Sequence, residues 1–211
     1  MQQALERTHW VRPCSHGSSG EYAGCSRGGL IAVNQPNRLR IGFIIQDAGV
    51  DGRFQRVQGP QEIVGIVDYA HTPDALQNVL QTLQAFRQGP QHIITVVGCG
   101  GDRDTGKRPQ MAQIAADLSD YVVLTSDNPR SEAPAAILRD MEAGLDPVQK
   151  RRCITVEDRH QGIKLACQHA KPGDIILVAG KGHEKYQEIQ GVKHPFDDVA
   201  VLKSTLKDVH A

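Results

Sequence analysis

From about Ile63 to the C-terminus one unit recurs: a strand-length apolar run, a polar or glycine-rich turn, and a segment with helical spacing. The runs are IVGIVDYA (63–70), HIITVVG (92–98), YVVLTSD (121–127), CITVE (153–157) and DIILVAG (174–180). β-Branched and apolar residues fill their centres, as expected of strands covered on both faces. Strands that alternate with helices at this spacing imply right-handed βαβ units. The expected fold is therefore α/β, with a doubly wound, mostly parallel sheet.

The intervening segments carry helix signals. After the first run, Thr72 is positioned to cap orphan amides and Pro73 to occupy the first helical position. Leu76, Val79, Leu80, Leu83 and Phe86 then share one face. Pro109 opens a second helix carrying Met111, Ile114, Ala115 and Leu118. A third runs around Ala135 to Ala143, with Gly144 as its C-cap. Asp158 leads into a fourth through Ile163 and Cys167, and a last helix lies near Asp198 to Leu206.

Residues 1 to 50 break the pattern. Cys14 to Gly29, CSHGSSGEYAGCSRGG, has almost no large apolar side chains to bury, so a poorly ordered segment is expected, with LRIGFII (39–45) as one strand at most. Residues 51–62 read as a linker, and 63–211 as the folded domain. Cys14, His16 and Cys25 match no zinc spacing and lack a fourth ligand, and no other metal site is expected in the chain. The five cysteines are scattered, which reads as free thiols in a reducing compartment. With 24 basic and 24 acidic residues there is no electrostatic case for a nucleic-acid or membrane partner. No run is long enough to span a bilayer or to form a signal-peptide core, so a cytoplasmic protein is expected.

The turns at the carboxyl ends of the strands carry the chemistry: Asp68-Tyr69-Ala70-His71, Gly100-Gly101-Asp102-Arg103-Asp104, Asp127-Asn128-Pro129-Arg130, Asp158-Arg159, and Gly180-Lys181-Gly182-His183-Glu184. In a parallel sheet these loops share the carboxyl edge, where ligands bind. The third loop puts a carboxylate, an amide and a guanidinium within four residues, with Pro129 ending the strand. An ordinary Asx turn with a solvated arginine is the alternative. Gly101 to Lys107 has the spacing of a phosphate-binding loop, but Arg108 stands where Ser or Thr must hold magnesium, and the two internal aspartates would repel phosphate.

The segments VDYAHTPDAL, GCGGDRDTGKRP, TSDNPR, AGKGHE and PFDD, in this order, resemble the C-terminal domain of the Mur ligases of peptidoglycan synthesis, from about Gly52 onward. The resemblance implies a Rossmann-like domain of an ATP-dependent amide ligase. It is nearest to the members that join meso-diaminopimelate to the dipeptide UDP-MurNAc-L-Ala-D-Glu. ATP would phosphorylate the D-glutamate carboxylate, magnesium would neutralise the phosphoryl group, and the incoming amine would attack the acyl phosphate. By resemblance Arg130 and Arg103 meet the diaminopimelate carboxylate, and Asp127, Asn128, Pro129, Gly180 and Glu184 supply the other contacts, Glu184 toward an ammonium. A mutual Arg103–Glu184 ion pair is the alternative for those two. Arg53, Asp68, Tyr69 and His71 resemble residues that approach the nucleotide, although His71 and Thr72 could simply cap a helix. Lys107 and Arg108 read equally as phosphate-facing or as a solvated helix start. A lysine-adding ligase fits less well, because Arg130 would meet no carboxylate.

Family members carry a UDP-sugar domain and a P-loop domain ahead of this one, and neither is recognisable in residues 1–50. The expectation is an incomplete enzyme, without catalytic residues of its own and inactive alone, with the absent domains as candidate partners in trans. A split ligase or a non-catalytic binding module for an amino acid or nucleotide is the alternative.

Overall fold

The computed structural model describes residues 51–209. The expectations for residues 1–50, including the strand at 39–45 and the set Cys14, His16 and Cys25, lie outside the described residues. Six strands form one sheet: Gln55–Gln58 (β1), Val64–Asp68 (β2), Ile93–Val97 (β3), Tyr121–Thr125 (β4), Cys153–Val156 (β5) and Ile175–Ala179 (β6). Their spatial order is β1-β2-β6-β3-β4-β5. All neighbours pair in parallel except β1, which runs antiparallel to β2. The helices are Pro73–Phe86 (α1), Lys107–Leu118 (α2), Pro134–Glu142 (α3), the short Pro147–Lys150 (α4), Arg159–His169 (α5) and Asp198–Val209 (α6).

The strand sequences look uniformly apolar because both faces are covered. Ile93 and Val97 of β3 and Ile175, Leu177 and Ala179 of β6 pack with Leu76, Leu80 and Leu83 of α1, Met111 and Ala115 of α2 and Ile137 and Met141 of α3. Their neighbours Ile94, Val96, Ile176 and Val178 point the other way, onto Ile163 and Cys167 of α5 and Leu202 and Leu206 of α6. Thr72 caps α1, its hydroxyl accepting from the Ala75 N–H at 3.4 Å, and Asp158 caps α5, accepting from the Gln161 N–H at 2.8 Å.

Several elements differ from the sequence reading, the short helix α4 among them. The expected linker contains β1, whose residues QRVQ bury only Val57 and so lack a strand's apolar signature. Tyr186–Ile189 (β7) and Val192–Pro195 (β8) form a polar hairpin closed by Gln190 and Gly191, both at positive φ (50° and 76°), the two-residue geometry that suits strand twist. Helix α2 begins at Lys107 rather than Pro109, which its third position tolerates because the N–H there would be orphaned anyway. Gly144 follows the cap residue Ala143, and its job is contact: a Cβ there would lie 2.2 Å from the Pro109 carbonyl oxygen.

At the amino edge of the sheet, acidic side chains tie strands together. Asp120 accepts from the Ile93 N–H and from Arg87, both at 2.8 Å. Asp174 accepts from the amides of His92 (2.8 Å) and Lys171 (2.9 Å). No helix among the described residues is long and apolar enough to cross a membrane.

Candidate functional site

The opposite, carboxyl edge gathers the loops that follow β2, β3, β4 and β6. Helices α1, α2 and α3, which follow β2, β3 and β4, cover one face, whereas α6, reached after β6 and the hairpin, covers the other. The edge therefore opens beside β6, where connections diverge and open sheets place their ligands. Close backbone packing brings the loops together. A Cβ on Gly98 would lie 2.2 Å from the Thr125 oxygen, and one on Gly101 would lie 2.0 Å from the Pro129 oxygen. The Gly101 N–H donates to the Asn128 carbonyl at 2.9 Å.

Around Asp127 and Asn128 the groups form one polar cluster. Asn128 Nδ2 donates to Glu184 Oε2 at 2.8 Å, and Asn128 Oδ1 accepts from the Glu188 N–H at 2.9 Å. The Lys181 ammonium, fully buried, donates to Asn128 Oδ1 (2.8 Å) and Glu184 Oε2 (3.2 Å), and lies 3.9 Å from Asp127 Oδ1. Burial pushes the Asp127 carboxyl up, and the nearby cations Arg159 and Lys181 pull it back. Gly180 sits at φ 116°, where a Cβ would meet Asp127 Oδ2 at 2.6 Å.

Arg130 completes the turn in a left-handed conformation (φ 52°), which costs a non-glycine residue about 1 kcal/mol. The hairpin holds it there: the Arg130 N–H donates to the Glu188 carbonyl (3.0 Å) and the Arg130 carbonyl accepts from Gln190 (2.7 Å). Its guanidinium donates through NH1 to the Gly101 carbonyl at 2.7 Å, and Nε lies 3.7 Å from Glu188 Oε2. Its remaining N–H groups make no hydrogen bond among the described residues. Gln187 adds a second tie, donating to the Asp127 carbonyl at 2.7 Å. Pro129 is buried beneath the turn, and Arg103 is exposed at the rim. No Arg103–Glu184 ion pair forms; Glu184 pairs with Lys181 instead.

The edge is braced from outside. Asp102 accepts from the Ser131 hydroxyl (2.6 Å) and N–H (3.1 Å), which hold its carboxyl below the usual range. Arg108 neither faces phosphate nor stands in solvent: it is buried between Glu132 (2.7 Å) and Asp140 (2.8 Å). Lys107 donates to the His71 carbonyl at 2.9 Å. The loop after β5 was expected on the rim, but Arg159 is buried in a two-pronged pair with Asp198, both contacts at 2.8 Å, and Asp158 is a helix cap. Its strand lies at the sheet's margin, so these residues are structural.

On the β2 side, Asp68 Oδ2 accepts from the Phe54 N–H at 2.6 Å, and burial raises its carboxyl against that bond and the Arg53 charge. The Tyr69 ring lies between those of His71 (4.6 Å) and His183 (4.9 Å). His71 and Arg53 are exposed. The three rings are tilted against one another, by 56° and 45°, and form a partly exposed aromatic patch. Among the described residues no group of three or more His, Cys, Asp or Glu side chains is placed to hold a metal ion.

The sequence reading placed Lys181 and His183 on the rim without giving them a role, and it missed Gln187 and Glu188. The glycines flanking Lys181, both at positive φ, were the signal that its side chain turns inward. The hairpin residues gave no signal, because β7 and β8 are polar and mostly unburied.

Sheet and rim together define a Rossmann-like domain with a cationic and an anionic pole on one edge. The family described as Mur ligase, glutamate ligase domain, matches residues 52–182. The UDP-N-acetylmuramoyl-L-alanyl-D-glutamate--2,6-diaminopimelate ligase of Cytophaga hutchinsonii is 59% identical over 156 residues, which are 74% of this chain and 32% of that protein. The ligase of the same name from Bacteroides fragilis is 56% identical over 154 residues, 73% of this chain and 32% of that one. A solved structure of a ligase of this name matches with a TM-score of 0.69 at 49% identity, covering 75% of this chain and 32% of the other. The chain belongs to the Mur ligase family, and it spans about a third of the length of the curated relatives it matches.

Proposed function

We propose that this domain binds meso-diaminopimelate for ATP-dependent ligation to the dipeptide of UDP-MurNAc-L-Ala-D-Glu. The observation that carries the reading is the pairing of opposite poles on one rim: Arg130 with open donors, and Glu184 with Asn128 beside it. One end of diaminopimelate is itself a pair of poles, a carboxylate and an ammonium on one carbon. A planar guanidinium takes the carboxylate through two parallel bonds, with Arg103 adding charge, while Glu184, oriented by Asn128 and with Asp127 nearby, takes the ammonium. Holding that end leaves the far amine free to be aimed at the reacting carbon, which is an orientation effect. Lysine carries such a pair only on its α carbon; placed with its α amine toward the reacting carbon, its other end brings no carboxylate to the open Arg130 donors, a difference worth up to several kcal/mol in sites built this way.

Arg53, Asp68, Tyr69 and His71 form the edge we assign to the nucleotide, whose chemistry would be to activate the glutamate carboxylate. The chain's own residues bind and orient; the phosphoryl-transfer groups are inferred to come from outside the described residues, in the longer ligase or in trans, and the chain alone is expected not to turn over. Isothermal titration of the 211-residue chain tests the reading. Diaminopimelate is expected to bind at least about tenfold more tightly than L-lysine. Equal affinities, or none for diaminopimelate, would refute it.

A further inference from the structure

We infer that Lys181 is a positioning residue: its buried ammonium sets the orientation of Asn128 and Glu184 so that the site meets a ligand ammonium already formed. This rests on the amino-acid-binding reading above. The side chain is fully buried in a loop whose flanking glycines, Gly180 (φ 116°) and Gly182 (φ 53°), turn it inward. Neither glycine tolerates a Cβ, which at Gly182 would lie 2.6 Å from the Gly52 carbonyl oxygen and 2.7 Å from Tyr69 Cβ. The loop is thus fixed from both sides, and the ammonium has no path to a ligand.

A buried cation is costly unless paired and hydrogen-bonded, and this one is both. It donates to Asn128 Oδ1 at 2.8 Å and Glu184 Oε2 at 3.2 Å, with the Tyr186 ring 5.5 Å away and Asp127 at 3.9 Å. The Asn128 oxygen accepts from two donors, Lys181 and the Glu188 N–H, so its amide cannot turn over without placing its own N–H groups against them. The Asn128 amide must then donate to Glu184 Oε2, where the Lys181 bond also lands. Glu184 Oε1 accepts no hydrogen bond among the described residues and is the atom left for an incoming cation. The lysine charge also offsets the two carboxylates, so an ammonium ligand enters a site that is anionic by one charge rather than two.

The test uses the full chain with meso-diaminopimelate and with pimelate, the same carbon chain bearing both carboxylates and no amine. Lys181→Met is expected to weaken diaminopimelate about tenfold or more while leaving pimelate, held by the untouched arginine pole, unchanged. A purely structural role for the lysine would weaken both together, or neither, and either result overturns the proposal. Two readouts need no ligand. In the wild-type chain the Lys181 ammonium should give a slowly exchanging nitrogen-15 signal with Overhauser contacts to the Asn128 side chain; a rapidly exchanging, contact-free signal overturns the proposal even if the variant fails to fold. In a folded variant, Asp127, already raised by burial, should titrate at still higher pH, and an unchanged titration counts against it. If the wild type binds no diaminopimelate, the functional reading fails, and these ligand-free readouts still decide the role of Lys181.

Discussion

Both edges of the sheet carry acidic side chains at strand ends, yet they use them differently. At the amino edge Asp174 gives both its oxygens to backbone amides, and Asp120 takes a backbone amide and Arg87 on one oxygen. At the carboxyl edge Glu184 receives both its bonds on one oxygen, and Arg130 is held in a left-handed turn with donors open. The first arrangement satisfies groups that folding would otherwise leave unpaired. The second keeps polar groups ready that folding does not use, at a cost in strain. Stability and binding should therefore separate along the two edges.

The sharpest break would come at Arg130. Arg130→Gly relieves the positive φ but removes the guanidinium, so diaminopimelate affinity should fall about a hundredfold or more while stability changes by less than about 1 kcal/mol. Titration calorimetry and urea unfolding on the same sample check both halves. At the other edge, Asp174→Ala leaves the His92 and Lys171 amides without their acceptor and should cost about 2 kcal/mol of stability, with ligand affinity unchanged in the folded fraction.

Acid unfolding separates the edges less strongly. Asp102 has its folded pKa lowered by Ser131, so its contribution is complete above the unfolded value of about 3.9 and is lost as pH falls through the folded value. Ser131→Ala should remove that contribution and flatten the acid limb. Asp127 has the opposite sign: its folded pKa is raised, so it costs stability as pH rises from about 3.9 through the folded value. Asp127→Asn should abolish that decline. Urea midpoints between about pH 3 and 7 would read both effects, a window set by the unfolded carboxylate pKa. The smallest effect is chemical. Burial pushes the Cys99 and Cys167 thiols up to about 12, and Cys153 rises less from a half-buried place. Iodoacetamide at neutral pH should label Cys153 before Cys99 or Cys167, read by peptide mass spectrometry.

Legibility in the sequence divides along the same line. The parallel strands and the Thr72 and Asp158 caps could be read directly, because burial on both faces and capping each demand particular residue types. Asp127, Asn128, Arg130, Gly180 and Glu184 were legible as a group, since each follows a strand and the topology brings those ends together. Strand β1 and the β7–β8 hairpin were not legible, because short strands with one buried residue or none look like loops. With the hairpin went Glu188 and Gln187, whose contacts to the Asp127–Arg130 turn cross 60 residues. Arg108 and Arg159 were read as rim charges because sequence cannot tell a solvated arginine from one buried against two carboxylate oxygens.

The most direct test is an amide-resolved NMR titration of the chain with meso-diaminopimelate, with L-lysine as control. Shifts confined to residues 100–104, 127–130 and 180–184, with the amides around Asp120 and Asp174 silent and lysine without effect, are the predicted result. Equal responses to lysine, or shifts centred on the amino edge, would contradict the claim that the carboxyl rim is a preformed site for the distal end of diaminopimelate, the end whose carboxylate lysine lacks.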